Sequence, residues 1–213
     1  MRSWNHPVKA NATLQLGQDG NLVLIDSDGT LVWSTNTTGK SVSSLNLTDM
    51  GNMVLFDKFD RTIWKSFDHP TDCLLPGQNL VSRQKLIASV SASNWSQCLF
   101  SLTILNGSWA TYIDSDTPRF YYASPYMDNR YFSFDGRTFT ALKHPPRPVA
   151  QFIKLGANGH LRVYQQGNFF QWTEVSDILM PDFGNCGYPM VCGRNSNCSN
   201  DGQCTCPVEG NFR

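Results

Sequence analysis

Glutamate is nearly absent. Of the 17 acidic side chains only Glu174 and Glu209 are glutamate, and the rest are aspartate, a turn former and poor helix former. Lys plus Arg also number 17, giving a formal net charge of +0. No basic surplus exists to neutralise phosphates or anionic lipid, so nucleic acid is excluded as an expected partner. No stretch of about 20 apolar residues occurs, so membrane insertion by this chain is not expected, and the opening Met-Arg-Ser-Trp-Asn-His-Pro-Val-Lys holds no apolar signal-peptide core. The histidines His6, His69, His144 and His160 are scattered, with no pair at metal-ligand spacing. Gly-x-Ser-x-Gly, a glycine-rich phosphate loop before lysine, and a His-Arg-Asp kinase loop are all missing. Two aspartate pairs, Asp57 with Asp60 and Asp114 with Asp116, could serve a glycosidase, but both fall in hairpin-turn positions. The expectation is a chain without catalysis, cofactor or metal.

What is present is a core-forming, strand-rich composition, 40% hydrophobic and 12% aromatic. The chain repeats itself. Gly20-Asn-Leu-Val-Leu-Ile-Asp26 leads to Leu31-Val-Trp33-Ser, and Gly51-Asn-Met-Val-Leu-Phe-Asp57 leads to Ile63-Trp64, with Asn21 and Asn52, Asp26 and Asp57, Trp33 and Trp64 all 31 residues apart. A third copy runs from Gly159 to Trp172, and in all three the glycine precedes the tryptophan by 13 residues. A fainter fourth starts at Gly107 and places Phe120-Tyr121 in the tryptophan slot. Each unit reads as a hairpin, the first turning at Asp26-Ser-Asp-Gly29, where Gly29 is best able to take positive φ. A lone hairpin cannot bury both faces, so several must pack round one axis, with Trp33, Trp64 and Trp172 as core filling. The aromatic stretch Phe120 to Phe134, including Tyr126, reads as strand and core of a second domain, and Lys143-His-Pro-Pro-Arg-Pro148 as a connecting loop.

Five of the seven cysteines, Cys186, Cys192, Cys198, Cys204 and Cys206, crowd the tail without the knuckle spacing or histidines of a zinc site, which points to disulfides. Six Asn-x-Ser/Thr sequons, at Asn11, Asn36, Asn46, Asn94, Asn106 and Asn197, exceed the roughly three expected by composition. Cysteines and sequons together argue for an oxidising, extracellular setting.

The hairpin unit resembles the bulb-type, mannose-binding lectin repeat. Asn5-His-Pro-Val, Gly29-Thr-Leu-Val-Trp-Ser-Thr-Asn-Thr37, Ser66-Phe-Asp-His-Pro-Thr-Asp72 and Leu75-Pro-Gly-Gln78 resemble the ectodomain of plant G-type lectin S-receptor-like kinases. The resemblance implies an all-β fold: tandem β-prism domains over 1–78 and 79–178, followed by a small disulfide-rich EGF-like module over 179–213. The family's sugar site follows Gln-x-Asp-x-Asn-x-Val-x-Tyr. On this chain the first repeat keeps Asp19, Asn21 and Val23, the second keeps Asn52 and Val54, and no copy is complete. The EGF-like pattern implies Cys186–Cys198 and Cys192–Cys204, with Cys206 awaiting a sixth cysteine beyond Arg213, and leaves Cys73–Cys98 as a candidate extra bridge. It also implies that the first prism lacks a sheet. The implied role is binding of a glycan or a peptide or protein ligand outside the cell, with receptor homo- or hetero-oligomers in the parent family and links to pollen recognition or defence. The rival layout is a soluble, kinase-free cell-wall glycoprotein.

Overall fold

The structure, a computed structural model, describes residues 8–91, 94, 96–125, 128–142, 150–167, 170–184, 186–189, 191–192, 197–199 and 203–205. The segment at Trp4, Tyr126, the Lys143–Pro148 connector and Cys206 lie outside the described residues. Strands β1 (Thr13–Leu16), β2 (Leu22–Ile25) and β3 (Leu31–Ser34) form one antiparallel sheet, and β4 (Val42–Leu47), β5 (Met53–Asp57) and β6 (Thr62–Lys65) form a second. Three more sheets follow. They are built from β7 (Cys73–Leu74), β8 (Asn79–Val81), β9 (Lys85–Ser89), β10 (Gln97–Leu105), β11 (Ser108–Ile113), β12 (Arg119–Ser124), β13 (Phe132–Phe134), β14 (Thr138–Ala141), β15 (Gln151–Leu155), β16 (Leu161–Gln166) and β17 (Trp172–Asp177). Their orders are β12-β11-β10-β9, β13-β14-β8 and β17-β16-β15-β7. A single helical turn, α1 (Met180–Phe183), leads to the short ribbon β18 (Asn197–Cys198) with β19 (Cys204–Thr205). The chain is nearly all β, and among the described residues no helix is long and apolar enough to cross a membrane.

The duplication is visible in register. Leu14 pairs with Leu24 and Leu24 with Trp33, while Leu45 pairs with Leu55 and Leu55 with Trp64, so each of the first two sheets carries a Leu-Leu-Trp row across its strands. Both hairpins slip register one residue past this row, after Leu24 and after Leu55. Gly29 closes the first turn at φ 85°, as its position demands, and the equivalent residue of the second turn is Asp60 at φ 59°. Asp57, only 3% exposed, accepts from the backbone N–H groups of Phe59 and Arg61 and from the Arg61 guanidinium. Burial works against its charge, but the Arg61 bonds and the two N–H groups outweigh that and hold the carboxyl low. Asp57 and Asp60 are thus a turn clasp, and Asp114 pairs instead with Lys85 at 3.3 Å.

The third copy departs from the pattern. Val163, the counterpart of Leu24, pairs with Ser176, and Trp172 pairs with Gln166 near the loop. This hairpin runs further before turning, which carries Trp172 out of the core row to 47% exposure, where its ring meets Phe152 edge-on at 4.7 Å. Core filling by Trp172 is therefore wrong, because equal Gly-to-Trp spacing does not fix register when the strands are longer. In the fourth copy Tyr122, paired with Thr111, takes the tryptophan's place, and Phe120 is 68% exposed.

The main core lies among residues 74–188, where Leu74, Leu80, Leu86, Leu102, Phe132, Phe139, Leu155 and Leu161 surround the fully buried Trp109. Its indole meets Phe132 and Phe139 edge-on at 5.7 and 5.6 Å. β7 hydrogen-bonds to β15 and β8 to β14, so residues from Cys73 onward already belong to the second group of sheets. In the first group Leu55 is fully buried, but Leu14 and Leu45, the outer members of the two rows, are 49% and 41% exposed.

The structure joins Cys186 to Cys198 and Cys192 to Cys204, with Cα separations of 5.5 and 5.3 Å. Cys73 and Cys98 are not bridged to one another, against the candidate pairing. They sit on β7 and β10 in different sheets, and the Cys98 thiol faces the Ala157 carbonyl at 3.6 Å.

Candidate carbohydrate site and aromatic cleft

Asn21 and Asn52 do the same work in their two hairpins. Asn21 Oδ1 accepts from the Thr35 hydroxyl at 3.2 Å and the Thr37 N–H at 3.1 Å, and Asn52 Oδ1 from the Ser66 hydroxyl at 3.1 Å and the Phe67 N–H at 3.2 Å. The same hydroxyls accept the next backbone N–H groups, from Leu22 at 3.1 Å and Met53 at 2.9 Å. Each amide therefore staples the start of its hairpin to the end. A backbone N–H can only donate, so the carbonyl oxygen must face the staple, and both Nδ2 hydrogens are left for solvent or a ligand.

Asp19 lies two residues before Asn21, in the turn that precedes β2. Its Oδ1 accepts from the Asn21 N–H at 3.1 Å and its Oδ2 from the Thr38 hydroxyl at 2.8 Å. These two bonds, the first the larger, hold its carboxyl below the usual aspartate range, so the group stays an acceptor under mildly acid conditions. Val23 follows within β2 and is half-buried. The structure thus places an ionised acceptor and two amide donors just before β2 and an apolar side chain within it. The second repeat does not match it: Val54 is 6% exposed and cannot present its side chain, leaving Asn52 alone. The asparagines of all six sequons are exposed, and three of them, Asn11, Asn36 and Asn106, sit at positive φ.

Two features escape sequence reasoning. The first is in the third repeat, where His160 stands in the asparagine slot. Its Nδ1 lies 2.5 Å from Asp177 Oδ2, Arg162 Nε reaches the same oxygen at 3.2 Å, and the Tyr188 hydroxyl donates to Asp177 Oδ1 at 2.6 Å. The Tyr188 ring stacks on His160 with centroids 3.4 Å apart. Burial opposes the charge on Asp177, but the Tyr188 and His160 bonds prevail and its carboxyl titrates below the usual range; burial and that same carboxylate push the Tyr188 phenol upward. This cluster ties the cysteine-rich segment to the β16–β17 hairpin, and the one hint in the sequence is a titratable residue where the repeat expects asparagine.

The second is a cleft of about 740 Å³ lined by Trp33, Asn36, Trp64, Phe67, His69 and Lys85 among others. Trp33 meets Trp64 edge-on at 5.9 Å, and His69 stacks on Trp64 at 5.1 Å. Both indoles are half-buried, which corrects their assignment as filled core: with two sheets in this group among the described residues, the tryptophan rows form a wall.

Antiparallel sheets cut from one repeated hairpin, the first two each with a tryptophan row and an asparagine staple, define a prism-type lectin scaffold. Residues 3–96 match the family described as D-mannose binding lectin. The chain carries a bulb-type lectin domain and is homologous to EP1-like glycoproteins and G-type lectin S-receptor-like kinases. It is 32% identical to EP1-like glycoprotein 2 of Arabidopsis thaliana across 96% of its own length and 56% of that protein's. It is 28% identical to the G-type lectin S-receptor-like serine/threonine-protein kinase SD2-5 of Arabidopsis thaliana, over 94% of this chain and 26% of the kinase. A 75-residue stretch, 35% of this chain and 19% of the relative, is 56% identical to the epidermis-specific secreted glycoprotein EP1 of Daucus carota. Among solved structures, the Polygonatum cyrtonema lectin complexed with monomannoside aligns with 50% of this chain and 74% of its own at 25% identity and a TM-score of 0.24. The chain spans about half the length of the EP1-like glycoproteins 1 and 2.

Proposed function

We propose that the chain is an extracellular recognition fragment that binds carbohydrate without catalysis, through Asp19, Asn21 and Val23 on the first hairpin. The observation that supports this most directly is that the D-mannose binding lectin match covers the hairpin in which the staple turns the Asn21 Nδ2 donors outward beside an ionised Asp19. The glutamine and tyrosine of the full pattern are replaced by Gly17 and Ile25. At roughly 0.5–1.5 kcal/mol per net hydrogen bond, that loss weakens a monosaccharide site about 10- to 100-fold. Affinity for a single mannose is then low, and a larger glycan or a glycosylated protein is the better ligand.

Of the two fuller layouts, the secreted kinase-free glycoprotein is favoured over the receptor ectodomain, because identity is higher to EP1-like glycoprotein 2 than to the receptor kinase at similar coverage of this chain. Exposed sequons and the two disulfides fit an extracellular place in either case. Receptor oligomers and a part in pollen recognition or defence would belong to the receptor layout. A glycan array comparing the protein with Asn21→Asp tests the site: mannose-type signals should fall to background in the variant, and unchanged signals would refute the assignment.

A further inference from the structure

We propose that the Trp33–Trp64 cleft is occupied by the chain's own N-linked glycan, carried on Asn36. The inference rests on the extracellular reading above. Asn36 opens the sequon Asn36-Thr37-Thr38, is exposed, and is itself part of the cleft lining, whereas Asn11, Asn46, Asn94, Asn106 and Asn197 are not. The cleft wall offers what a pyranose ring recognises. Two half-buried indoles and the His69 imidazole present flat apolar surface, and Asp68 and Lys85 at the rim present groups that hydrogen-bond hydroxyls. The Ser34 hydroxyl donates to Asn36 Oδ1 at 2.8 Å, which orients the amide that would bear the sugar. Thr38, whose hydroxyl completes the sequon, is exposed, while Thr37 between it and Asn36 is buried and donates to the Gly20 carbonyl, which fixes the loop that carries Asn36 at the cleft.

Tethering is what lets a weak site fill. A short flexible linker gives an effective concentration of about millimolar, so a cleft with only about millimolar affinity for free sugar is still about half occupied by a glycan attached at its edge. The attached sugar then covers apolar wall that would otherwise invite association, and a free saccharide at micromolar concentration does not displace it.

The experiment uses the chain secreted from plant cells, with glycopeptide mass spectrometry following native endoglycosidase trimming at each sequon. The glycan on Asn36 should be trimmed about two-fold more slowly than the one on Asn46, and Trp64→Ala should abolish the difference. Asn36→Asp, which keeps an acceptor for Ser34 and tolerates positive φ, should raise acrylamide quenching of tryptophan fluorescence and lower the Tm by about 1–5 °C. This second variant leaves both indoles in place should Trp64→Ala fail to fold. A bare Asn36 with other sequons occupied, equal trimming rates, or unchanged quenching would overturn the inference while leaving the extracellular reading intact. Free chitobiose or mannose protecting the indoles equally in glycosylated protein and in Asn36→Asp would assign the cleft to an external ligand and also overturn it. No glycan at any sequon, together with reduced cysteines at 186 and 198, would instead bring down the extracellular reading itself.

Discussion

Tyr188→Phe removes one hydroxyl and little else. The ring is 2% exposed and keeps its stack on His160 and its edge contact with Phe183 at 5.1 Å. What is lost is a 2.6 Å bond to Asp177, a carboxylate whose other partners are His160, Arg162 and the Leu179 N–H. A hydrogen bond to a charged group contributes about 1.5–3 kcal/mol. At about 2–4 °C per kcal/mol for a chain of this size, the Tm should fall by about 3–12 °C. The pH dependence is more specific than the shift. Asp177 titrates lower folded than unfolded, so its contribution is present above the ordinary aspartate value near 4 and is lost as pH falls through the lower folded value. Tyr188 titrates higher folded than unfolded, so its contribution is present below about pH 10 and is lost as pH rises beyond. Thermal unfolding followed by circular dichroism from pH 2.5 to 11 should therefore show the largest gap between the two proteins near neutrality, closing at both ends. A Tm within 1 °C of the parent at pH 7, or two parallel profiles, would refute the account of Asp177 as the anchor of the cysteine-rich segment.

The repeat made most of the fold legible, because the 31-residue offset records the fold's own period. Asn21 with Asn52 and Trp33 with Trp64 recur since each hairpin needs a staple and an apolar row, whereas the paired aspartates diverge: Asp57 accepts the Arg61 N–H across its turn, and Asp26 accepts the Ser27 and Lys9 N–H groups instead. Where the hairpin changed length the pattern misled. Trp172 keeps its sequence distance from Gly159 yet pairs with Gln166, three residues beyond the expected Val163, and only the strand register reveals this. Asp19, Asn21 and Val23 were visible in the sequence as remnants of a pattern. Their division of labour was not, since which amide atom faces the staple depends on Thr37, fifteen or more residues away in the chain. The Asp177 cluster was invisible because it joins a hairpin end to a residue between cysteines, a contact that no local spacing encodes.

Five further variants test the staple, the turns and the disulfides. Asp60→Gly should raise the Tm by about 1–3 °C in calorimetry, because glycine relieves the positive φ that Asp60 now holds in the place of Gly29; an unchanged or lower value would show that this turn is not strained. Replacing Cys192 and Cys204 together by serine should cost about 3 kcal/mol for a loop with a sequence separation of 12, read as lost hydrogen-exchange protection in β18 and β19 with the core around Trp109 unaffected; loss of protection around Trp109 would mean the segment is needed for the whole fold. The staple is the sharpest case, because its two copies differ in burial. Asn52→Ala strips acceptors from the Phe67 N–H and the Ser66 hydroxyl at a half-buried position and should cost about 1–2 kcal/mol in urea unfolding. Asn21→Ala strips them beside the fully buried Thr37 and should cost about 2–3 kcal/mol. Asn21→Asp separates structure from recognition: it keeps an oxygen for the Thr37 N–H, so most stability should survive, but it has no amide hydrogens to donate to a sugar hydroxyl. If Asn21→Asp unfolds as readily as Asn21→Ala, the oxygen is not what holds the hairpin together, and the outward donors on which the carbohydrate site depends lose their structural basis.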